Sequence, residues 1–247
     1  MTRWKAAGIH LSISATIGVV TGVLLLGMWY PPPYFHAGGA DELMLLLVGV
    51  DLTIGPLLTL IVFRSGKRGL RFDLTVIGVL QTVALIYGMH VVLASRPVFL
   101  VAVPDRFEMV AADEIADADL KDGTAPEFRT RSWTGPRLVT GIIPADPVER
   151  SDIVFSSLAG RDIPNLPKYY RPYGTAKEKQ LKNAQPLETL RHKKPQYETL
   201  ISDWLAKSGR SPDTVAWLPL TSRKTDMVML IDAKTAEVLQ PLAIDPW

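Results

Sequence analysis

The stretch from Leu43 to Phe63 reads LMLLLVGVDLTIGPLLTLIVF and contains one charged residue, Asp51. Similar stretches flank it, Ala6 to Tyr30 and Leu74 to Ala94, and neither contains Lys, Arg, Asp or Glu. A helix needs about 20 residues to cross the hydrocarbon core of a bilayer, and its backbone groups have to bond within the helix. The sequence therefore predicts three transmembrane helices at residues 6–30, 43–63 and 74–94.

A cleaved signal peptide is the alternative interpretation of the first stretch, because Arg3 and Lys5 precede it. The stretch is longer than a typical signal-peptide core, however. Its exit, Trp29-Tyr30-Pro31-Pro32-Pro33, contains no small-residue cleavage pattern. We therefore expect an uncleaved membrane anchor.

The positive charges predict the orientation of the three helices. Two basic residues precede the first helix, and four lie between the second and third (Arg64, Lys67, Arg68 and Arg71), whereas the loop from Pro31 to Glu42 has none. Lys and Arg are enriched in cytoplasmic loops. We therefore expect a protein of the bacterial inner membrane with a cytoplasmic N-terminus and, after three helices, a periplasmic C-terminal domain.

The charge content changes sharply after Ala94. Residues 1–94 contain six Lys or Arg and four Asp or Glu, whereas residues 95–247 contain 21 of each sign. The second composition is typical of a water-soluble domain, and a domain of this length can bury a core of its own. The chain has no cysteine, which excludes disulfides, thiolate nucleophiles and Cys-ligated metal sites.

Residues 95–247 predict an α+β domain with an antiparallel sheet. Alternating and β-branched runs predict strands at 98–103, 106–110, 137–143, 214–220, 226–232 and 237–242. Helical patterns occur at 111–120, 147–158, 176–192 and 196–208, with the third interrupted at Pro186. A loop rich in Pro and Tyr, from Ile163 to Tyr173, separates the second and third of these helices.

Asp51 is the first candidate for function, because a carboxylate in the middle of a membrane helix costs several kcal/mol unless it is neutralised or hydrogen-bonded. It would then offer a polar contact to a partner helix or respond to protons. The structural alternative is a hydrogen bond within the chain, to Gln81, Thr82 or Tyr87 on the third helix or to Thr21 on the first.

Small residues four apart on the first helix, Ser14, Gly18 and Gly22, form the second candidate. This spacing includes a GxxxG pattern and lets another helix approach closely. Packing against the second or third helix of this chain is the simpler interpretation, and packing of a foreign helix is the sharper one.

Nothing in the sequence predicts catalysis. The C-terminal domain has one histidine, His192, in the basic run Arg191-His192-Lys193-Lys194. No HExxH, GxSxG, P-loop or GxGxxG pattern is present. We therefore expect no enzyme, no metal site and no cofactor.

Several segments resemble one family, the type IV pilin accessory proteins (the TfpX/TfpZ group, also described as FimB-like). The resemblance is close over residues 3–110 and weaker beyond. The segments are Arg3-Trp4-Lys5, Trp29-Tyr30-Pro31-Pro32-Pro33-Tyr34-Phe35, Leu45-Leu46-Leu47-Val48-Gly49-Val50-Asp51, Gly55-Pro56-Leu57-Leu58-Thr59, Gly66-Lys67 with Leu70-Arg71-Phe72-Asp73-Leu74, and Arg96-Pro97.

The resemblance implies an inner-membrane, chaperone-like factor without catalytic residues, which helps a type IV pilin subunit to accumulate or to enter the growing pilus. Its partners would be that subunit, other pilus assembly components and membrane lipid, with no nucleic acid. A pilin waits in the membrane by an N-terminal apolar helix. The hypothesis is therefore that the Ser14/Gly18/Gly22 face and Asp51 hold this helix.

A second contact is expected in the periplasm, where an exposed strand edge or the tyrosines Tyr169, Tyr170 and Tyr173 would bind the pilin's globular head. The alternative function is a membrane-anchored periplasmic ligand sensor or regulator. Its cytoplasmic parts would be only a tail and a short loop, so it would act through a partner protein. A transporter subunit is weaker still, because three helices with one buried acid offer little for a transport pathway.

Overall fold

A computed structural model describes the whole chain, residues 1–247. Its first part consists of three long helices: α1 (Arg3–Leu24, continued by a π-helical turn at Leu25–Trp29), α3 (Ala40–Val62) and α4 (Leu70–Ala94). A single-turn helix, α2 (Tyr34–Ala37), follows α1. The three long helices are long and apolar enough to cross a membrane, which confirms the three predicted helices and marks the chain as a membrane protein.

Each long helix begins a few residues before its predicted start. The starts are Arg3, Ala40 and Leu70, where the sequence predicted residues 6, 43 and 74. The first turn of α3 contains two acidic residues and that of α4 contains one, Asp73. Acidic side chains stabilise the positive end of the helix dipole, so these helices extend beyond their apolar stretches.

The middle helix in space is α3, which packs against both α1 and α4. At the end of the helices nearest the C-terminal domain, Leu25, Tyr30, Ala40 and Val92 form a small buried cluster. The hydroxyl of Tyr30 donates a hydrogen bond of 3.0 Å to the backbone oxygen of Val92. This cluster ties the end of α1 to the beginning of α3 and the end of α4.

The C-terminal domain contains one eight-stranded sheet. Its strands are β1 (Pro97–Ala102), β2 (Phe107–Ala111), β3 (Arg137–Gly141), β4 (Tyr170–Pro172), β5 (Gln185–Pro186), β6 (Val215–Thr221), β7 (Met227–Asp232) and β8 (Val238–Leu242). Their order across the sheet is β4-β3-β1-β2-β6-β7-β8, and β5 pairs with β6. The α+β class is confirmed.

The sheet is mixed rather than wholly antiparallel. Five of the seven strand pairings are antiparallel, and two, β1 with β3 and β2 with β6, are parallel. Parallel neighbours need a crossover of about a dozen residues or more. Residues 112–136 provide one such crossover, and the helices between β3 and β6 provide the other.

Five helices cover the sheet: α5 (Asp117–Lys121), α6 (Pro147–Ser157), α7 (Lys177–Asn183), α8 (Leu187–Lys193) and α9 (Glu198–Ser208). The predicted helix at 111–120 is a short helical turn at Ala112–Glu114 followed by α5. The predicted helix at 176–192 is two helices, because β5 separates α7 from α8 at Pro186. The predicted loop from Ile163 to Tyr173 contains β4.

Both faces of the sheet are buried. One face has a single core, in which Leu100, Met109 and Leu218 pack with residues of α7 and with Ala37 of α2. The other face has two cores, one around Phe99 beneath α5 and α6 and one around Trp217 beneath α8 and α9. Alternate residues of β1 and β6 contribute to opposite faces, as the pleat of a strand requires.

The helical part is fixed to the C-terminal domain through α2. The backbone oxygen of Ala37 accepts hydrogen bonds from the Ser222 hydroxyl at 3.0 Å and from the Lys224 amide at 3.1 Å. The Lys224 ammonium also lies 2.9 Å from the Glu42 carboxylate at the start of α3. The loop between β6 and β7 therefore holds the beginning of α3.

Candidate functional site

The face of α1 formed by Ser14, Gly18 and Gly22 lies against α3. The side chain of Ser14 is buried, and both glycines are buried too. A Cβ atom on Gly18 would lie 2.8 Å from Val48 Cγ1, and one on Gly22 would lie 2.9 Å from Met44 Cε. The close approach predicted by the GxxxG pattern is therefore made within the chain, and this face is not open to a foreign helix.

A polar contact supports the same packing near the other end of α1. The His10 Nδ1 atom lies 2.6 Å from the Thr59 hydroxyl of α3. Thr59 is itself buried. The contact pins α1 to α3 at the end away from the C-terminal domain.

The three loop tyrosines lie in the body of the C-terminal domain. Tyr169 and Tyr170 are buried, and their hydroxyls donate hydrogen bonds to Glu149 Oε1 and to the backbone oxygen of Pro164, respectively. Tyr173 is half-buried and donates to the backbone oxygen of Ala236. Their rings therefore stabilise the fold, and the expected contact with a client through them is not supported.

The strand edges offer little to a client strand. The edge strand β4 has only three residues, and the edge strand β8 contains Pro241, which pairs with Met229 of β7. A proline has no N–H to donate outward, and short or proline-containing edges resist strand addition.

Asp51 lies at the middle of α3 and faces α4. Its Oδ1 atom accepts a hydrogen bond of 2.5 Å from Gln81 Nε2. The Gln81 side chain passes directly over Gly55, where an added Cβ atom would overlap Gln81 Nε2. Gly55 therefore makes room for the Asp51–Gln81 pair. Gln81 is one of the four residues expected from the sequence as hydrogen-bond partners of Asp51 within the chain.

The Asp51–Gln81 pair lies in a groove between α3 and α4. The groove has a volume of about 250 Å³, and eight of its ten lining residues are hydrophobic: Leu47, Val50, Ile54, Leu58, Ile77, Leu80, Ala84 and Leu85. Asp51 Oδ2 accepts no hydrogen bond from the chain. The groove is thus an apolar depression between two helices, with one carboxylate oxygen inside it that accepts no hydrogen bond.

The sequence indicated Asp51 but not the groove around it. The missing residue was Gly55, whose lack of a side chain admits Gln81. The available signal was a glycine next to Pro56 in an apolar stretch, because small residues in membrane helices mark close approaches. Which side chain would fill that space depends on the register between α3 and α4, which the sequence does not encode locally.

Comparison with known proteins assigns the family. The sequence-family model of the fimbrial assembly protein FimB matches residues 1–39. A fimbrial assembly protein of serogroup I from Dichelobacter nodosus is 30% identical over 246 residues, which cover 98% of this chain and 95% of the relative. This chain belongs to the FimB-like family of fimbrial assembly proteins.

Two further relatives come from the same organism. The serogroup E1 fimbrial assembly protein is 29% identical over 246 residues, with the same coverage of both chains. The protein of serogroups C1 and C2 is 34% identical over 113 residues, which cover 45% of this FimB-like chain and 86% of that relative. No solved structure matches the chain.

Proposed function

We propose that this FimB-like protein is an inner-membrane accessory factor that stabilises a type IV pilin subunit and promotes pilus assembly. A role in pilus assembly is supported by the names of the relatives that match nearly the whole chain, which are fimbrial assembly proteins. The single observation that supports the stabilising role is the groove between α3 and α4. A pilin subunit is anchored in the membrane by an apolar helix before assembly, and the side of such a helix can pack into this groove.

The chemistry of the groove favours a helix over lipid. In hydrocarbon, an unused carboxylate oxygen finds no partner, whereas a helix seated in the groove can donate a hydrogen bond to Asp51 Oδ2. The surrounding leucines and isoleucines, with Val50 and Ala84, then pack against the apolar side chains of that helix. The client helix is thus held by shape over the few turns that the groove spans and by one polar contact at the level of Asp51.

The proposed membrane orientation has a cytoplasmic N-terminus and a periplasmic C-terminal domain, residues 95–247. It is supported by the basic loop between α3 and α4 and by the absence of Lys and Arg between α1 and α3. A client subunit anchored by one helix has its water-soluble part on the same side as this domain.

Single-cysteine labelling tests the orientation, because the chain has no cysteine of its own. Ser65→Cys lies in the exposed basic loop, and Lys207→Cys lies on the exposed surface of α9. In cells with a permeabilised outer membrane, a membrane-impermeant maleimide is expected to label Lys207→Cys alone, and after lysis it should label both. Labelling of Ser65→Cys in unlysed cells would contradict the orientation.

Complementation of a strain that lacks the gene tests the function. We expect the strain to lose surface pili and to contain less pilin, and the wild-type gene to restore both. Asp51→Leu is expected to restore them poorly, because it removes the carboxylate from the groove while keeping the apolar surface. Thr53→Leu is the matched control, since Thr53 is exposed two residues away and bonds to its own helix backbone.

The outcomes separate the two parts of the proposal. Normal pilin and normal pili in the strain without the gene would reject the accessory role. If the strain without the gene loses its pili and Asp51→Leu restores them as well as wild type does, the accessory role stands. The groove then has no part in that role.

A further inference from the structure

The segment before β3, residues 131–135, lies against the end of the first membrane helix. We call it the Trp133 loop. The Gly135 amide donates a hydrogen bond of 2.8 Å to the backbone oxygen of Met28, in the π-helical turn that ends α1. Gly135 has a φ of 70°, and an added Cβ atom there would lie 2.9 Å from Pro31. Glycine suits both the left-handed backbone and this close approach, which brings the loop against α1.

Arg96, two residues after α4, attaches the same loop to the end of the third membrane helix. Its Nη1 atom donates a hydrogen bond of 2.6 Å to the backbone oxygen of Leu93, in the last turn of α4. Its Nε atom donates one of 3.1 Å to the backbone oxygen of Ser132, in the Trp133 loop. The loop is therefore fixed to the ends of two membrane helices at once.

These helix ends lie at the boundary of the hydrocarbon core. The apolar stretch of α4 from Leu74 to Leu93 is about 20 residues or about 30 Å long, which is the thickness of the core. The end of α1 lies at the same level, because the Tyr30 hydroxyl bonds to the backbone oxygen of Val92. The headgroup layer outside the core is about 5–8 Å deep. Direct contact with both helix ends places the Trp133 loop in this layer.

The ring of Trp133 is the exposed part of the loop. Its residue is 59% exposed, although the residues that attach the loop, Gly135 and Arg96, are buried. The Arg96 guanidinium lies 4.8 Å from the centre of the ring and holds it beside the end of α4. A tryptophan ring is apolar with one N–H group, and tryptophan is enriched at the interface between membrane and water for that reason.

The charge of Arg96 is consistent with headgroup depth. The side chain is buried, its two hydrogen bonds go to neutral backbone oxygens, and it forms no salt bridge with an Asp or Glu. A buried charge without a counter-charge is costly. Hydrocarbon supplies no counter-charge, whereas the phosphates of lipid headgroups do, and guanidinium groups pair well with phosphate.

We propose that the Trp133 loop is a lipid-binding element, with the ring of Trp133 seated among the headgroups of the leaflet that the C-terminal domain faces. The position of the loop selects lipid as its occupant, because both of its attachment points are helix ends that emerge from the bilayer. The contact holds the domain against the membrane surface at a point other than the covalent link through Arg96 and Pro97. It requires no client subunit.

Fluorescence quenching in proteoliposomes tests the depth of the loop. The full-length chain has no cysteine, so Trp133→Cys accepts a single environment-sensitive NBD maleimide. A lipid with a nitroxide near its headgroup is expected to quench this probe several-fold more than a lipid with a nitroxide near the bilayer centre. Thr134→Cys is exposed in the same loop and keeps Trp133 in place, so the same result is expected there.

Asp213→Cys is the matched control at the opposite end of the sheet. Strand β6 runs toward the membrane helices, because the hydroxyl of Ser222, directly after the strand, bonds to the backbone oxygen of Ala37 in α2. Asp213 precedes β6 and is exposed, so it lies about 20 Å from that end. A probe there should lose no fluorescence with either lipid.

The pattern across the three positions decides the proposal. Quenching at both loop positions that is no stronger than at Asp213 would overturn it, because the loop would then face water. Stronger quenching by the nitroxide at the bilayer centre would overturn it too, since the ring would then lie in hydrocarbon. The purified protein is measured without pilin, so neither outcome depends on the proposed function.

Discussion

Replacing Gly18 and Gly22 together by isoleucine is expected to destabilise the packing of α1 on α3 by several kcal/mol. A Cβ atom at Gly18 would already lie 2.8 Å from Val48 Cγ1, and the isoleucine adds three more carbon atoms. Insertion of extra methylenes into a well-packed site costs about 1–3 kcal/mol each time. The measurement is the thermal midpoint of the purified full-length protein in detergent.

The two positions should not contribute equally. The side chain that faces Gly18 is Val48, a β-branched residue with one preferred rotamer in a helix, so it cannot turn away. The atom that faces Gly22 is the terminal methyl of Met44, which lies 2.9 Å from the added Cβ and can move at low cost. Gly18→Ile alone should therefore destabilise the protein more than Gly22→Ile alone.

Gly8→Ile is the matched control on the same helix, because an added Cβ at Gly8 meets nothing within 4 Å. The packing of α1 on α3 would be contradicted if the double variant melted like this control and no longer co-purified with pilin. That result would return the Gly18/Gly22 face to the client, as the sequence alone allowed. If Gly18 and Gly22 held a client helix, these substitutions would weaken client binding; packing of both glycines against α3 predicts a folding defect instead.

The parts of the fold that depend on local sequence were predictable. The three long helices follow from uninterrupted apolar length. The hairpin of β1 and β2 and that of β7 and β8 follow from turn residues between alternating runs, such as Ala233-Lys234-Thr235. The boundaries of β6, β7 and β8 lie within one residue of the predicted starts and ends.

The parts that depend on distant pairings were not predictable. Phe107 of β2 pairs with Leu220 of β6 in parallel, and no local pattern carries that information. The short strands β4 and β5 also gave no signal, since each pairs through only two or three residues and contains a proline. The antiparallel expectation therefore held for the hairpins and failed where long crossovers return the chain.

The candidate site shows the same limit. The spacing of Gly18 and Gly22 correctly indicated a close helix contact but not which helix makes it. Asp51 correctly drew attention as a polar residue in an apolar helix, and its partner Gln81 was among the possible ones. Predicting the groove requires the register of α3 against α4. The exposure of apolar side chains on α6, such as Phe155, was also not predictable. Apolar residues at helical spacing are otherwise expected to face a core.

Tyr170→Ala is expected to unfold much of the C-terminal domain. The side chain of Tyr170 is fully buried, and its ring packs edge-on against Phe99 at 5.0 Å and Phe128 at 6.1 Å between ring centroids. Its removal leaves a cavity in the core beneath α5 and α6. Replacing a buried aromatic residue by alanine costs about 3–5 kcal/mol, a large share of the roughly 5–15 kcal/mol that stabilises a typical domain.

Tyr170→Phe separates the ring from the hydroxyl. The hydroxyl donates to the backbone oxygen of Pro164, so the phenylalanine keeps the packing and leaves one buried acceptor without its partner. That loss costs about 1–3 kcal/mol. Limited proteolysis of the full-length protein in detergent reads out both changes. Cleavage after residue 95 should become fast for Tyr170→Ala, intermediate for Tyr170→Phe and slow for wild type.

The rank of these variants decides between the two roles that the loop tyrosines have been given. A residue that contacts a client from the surface would lose pilin binding on Tyr170→Ala while the domain stayed resistant to protease. If Tyr170 is a core residue, its replacement by alanine reduces pilin binding and protease resistance together. Tyr173→Phe removes one hydrogen bond from a half-buried ring, so it should reduce both properties less. Burial of Tyr170 between two aromatic rings requires the second pattern, and protease resistance in Tyr170→Ala would disprove it.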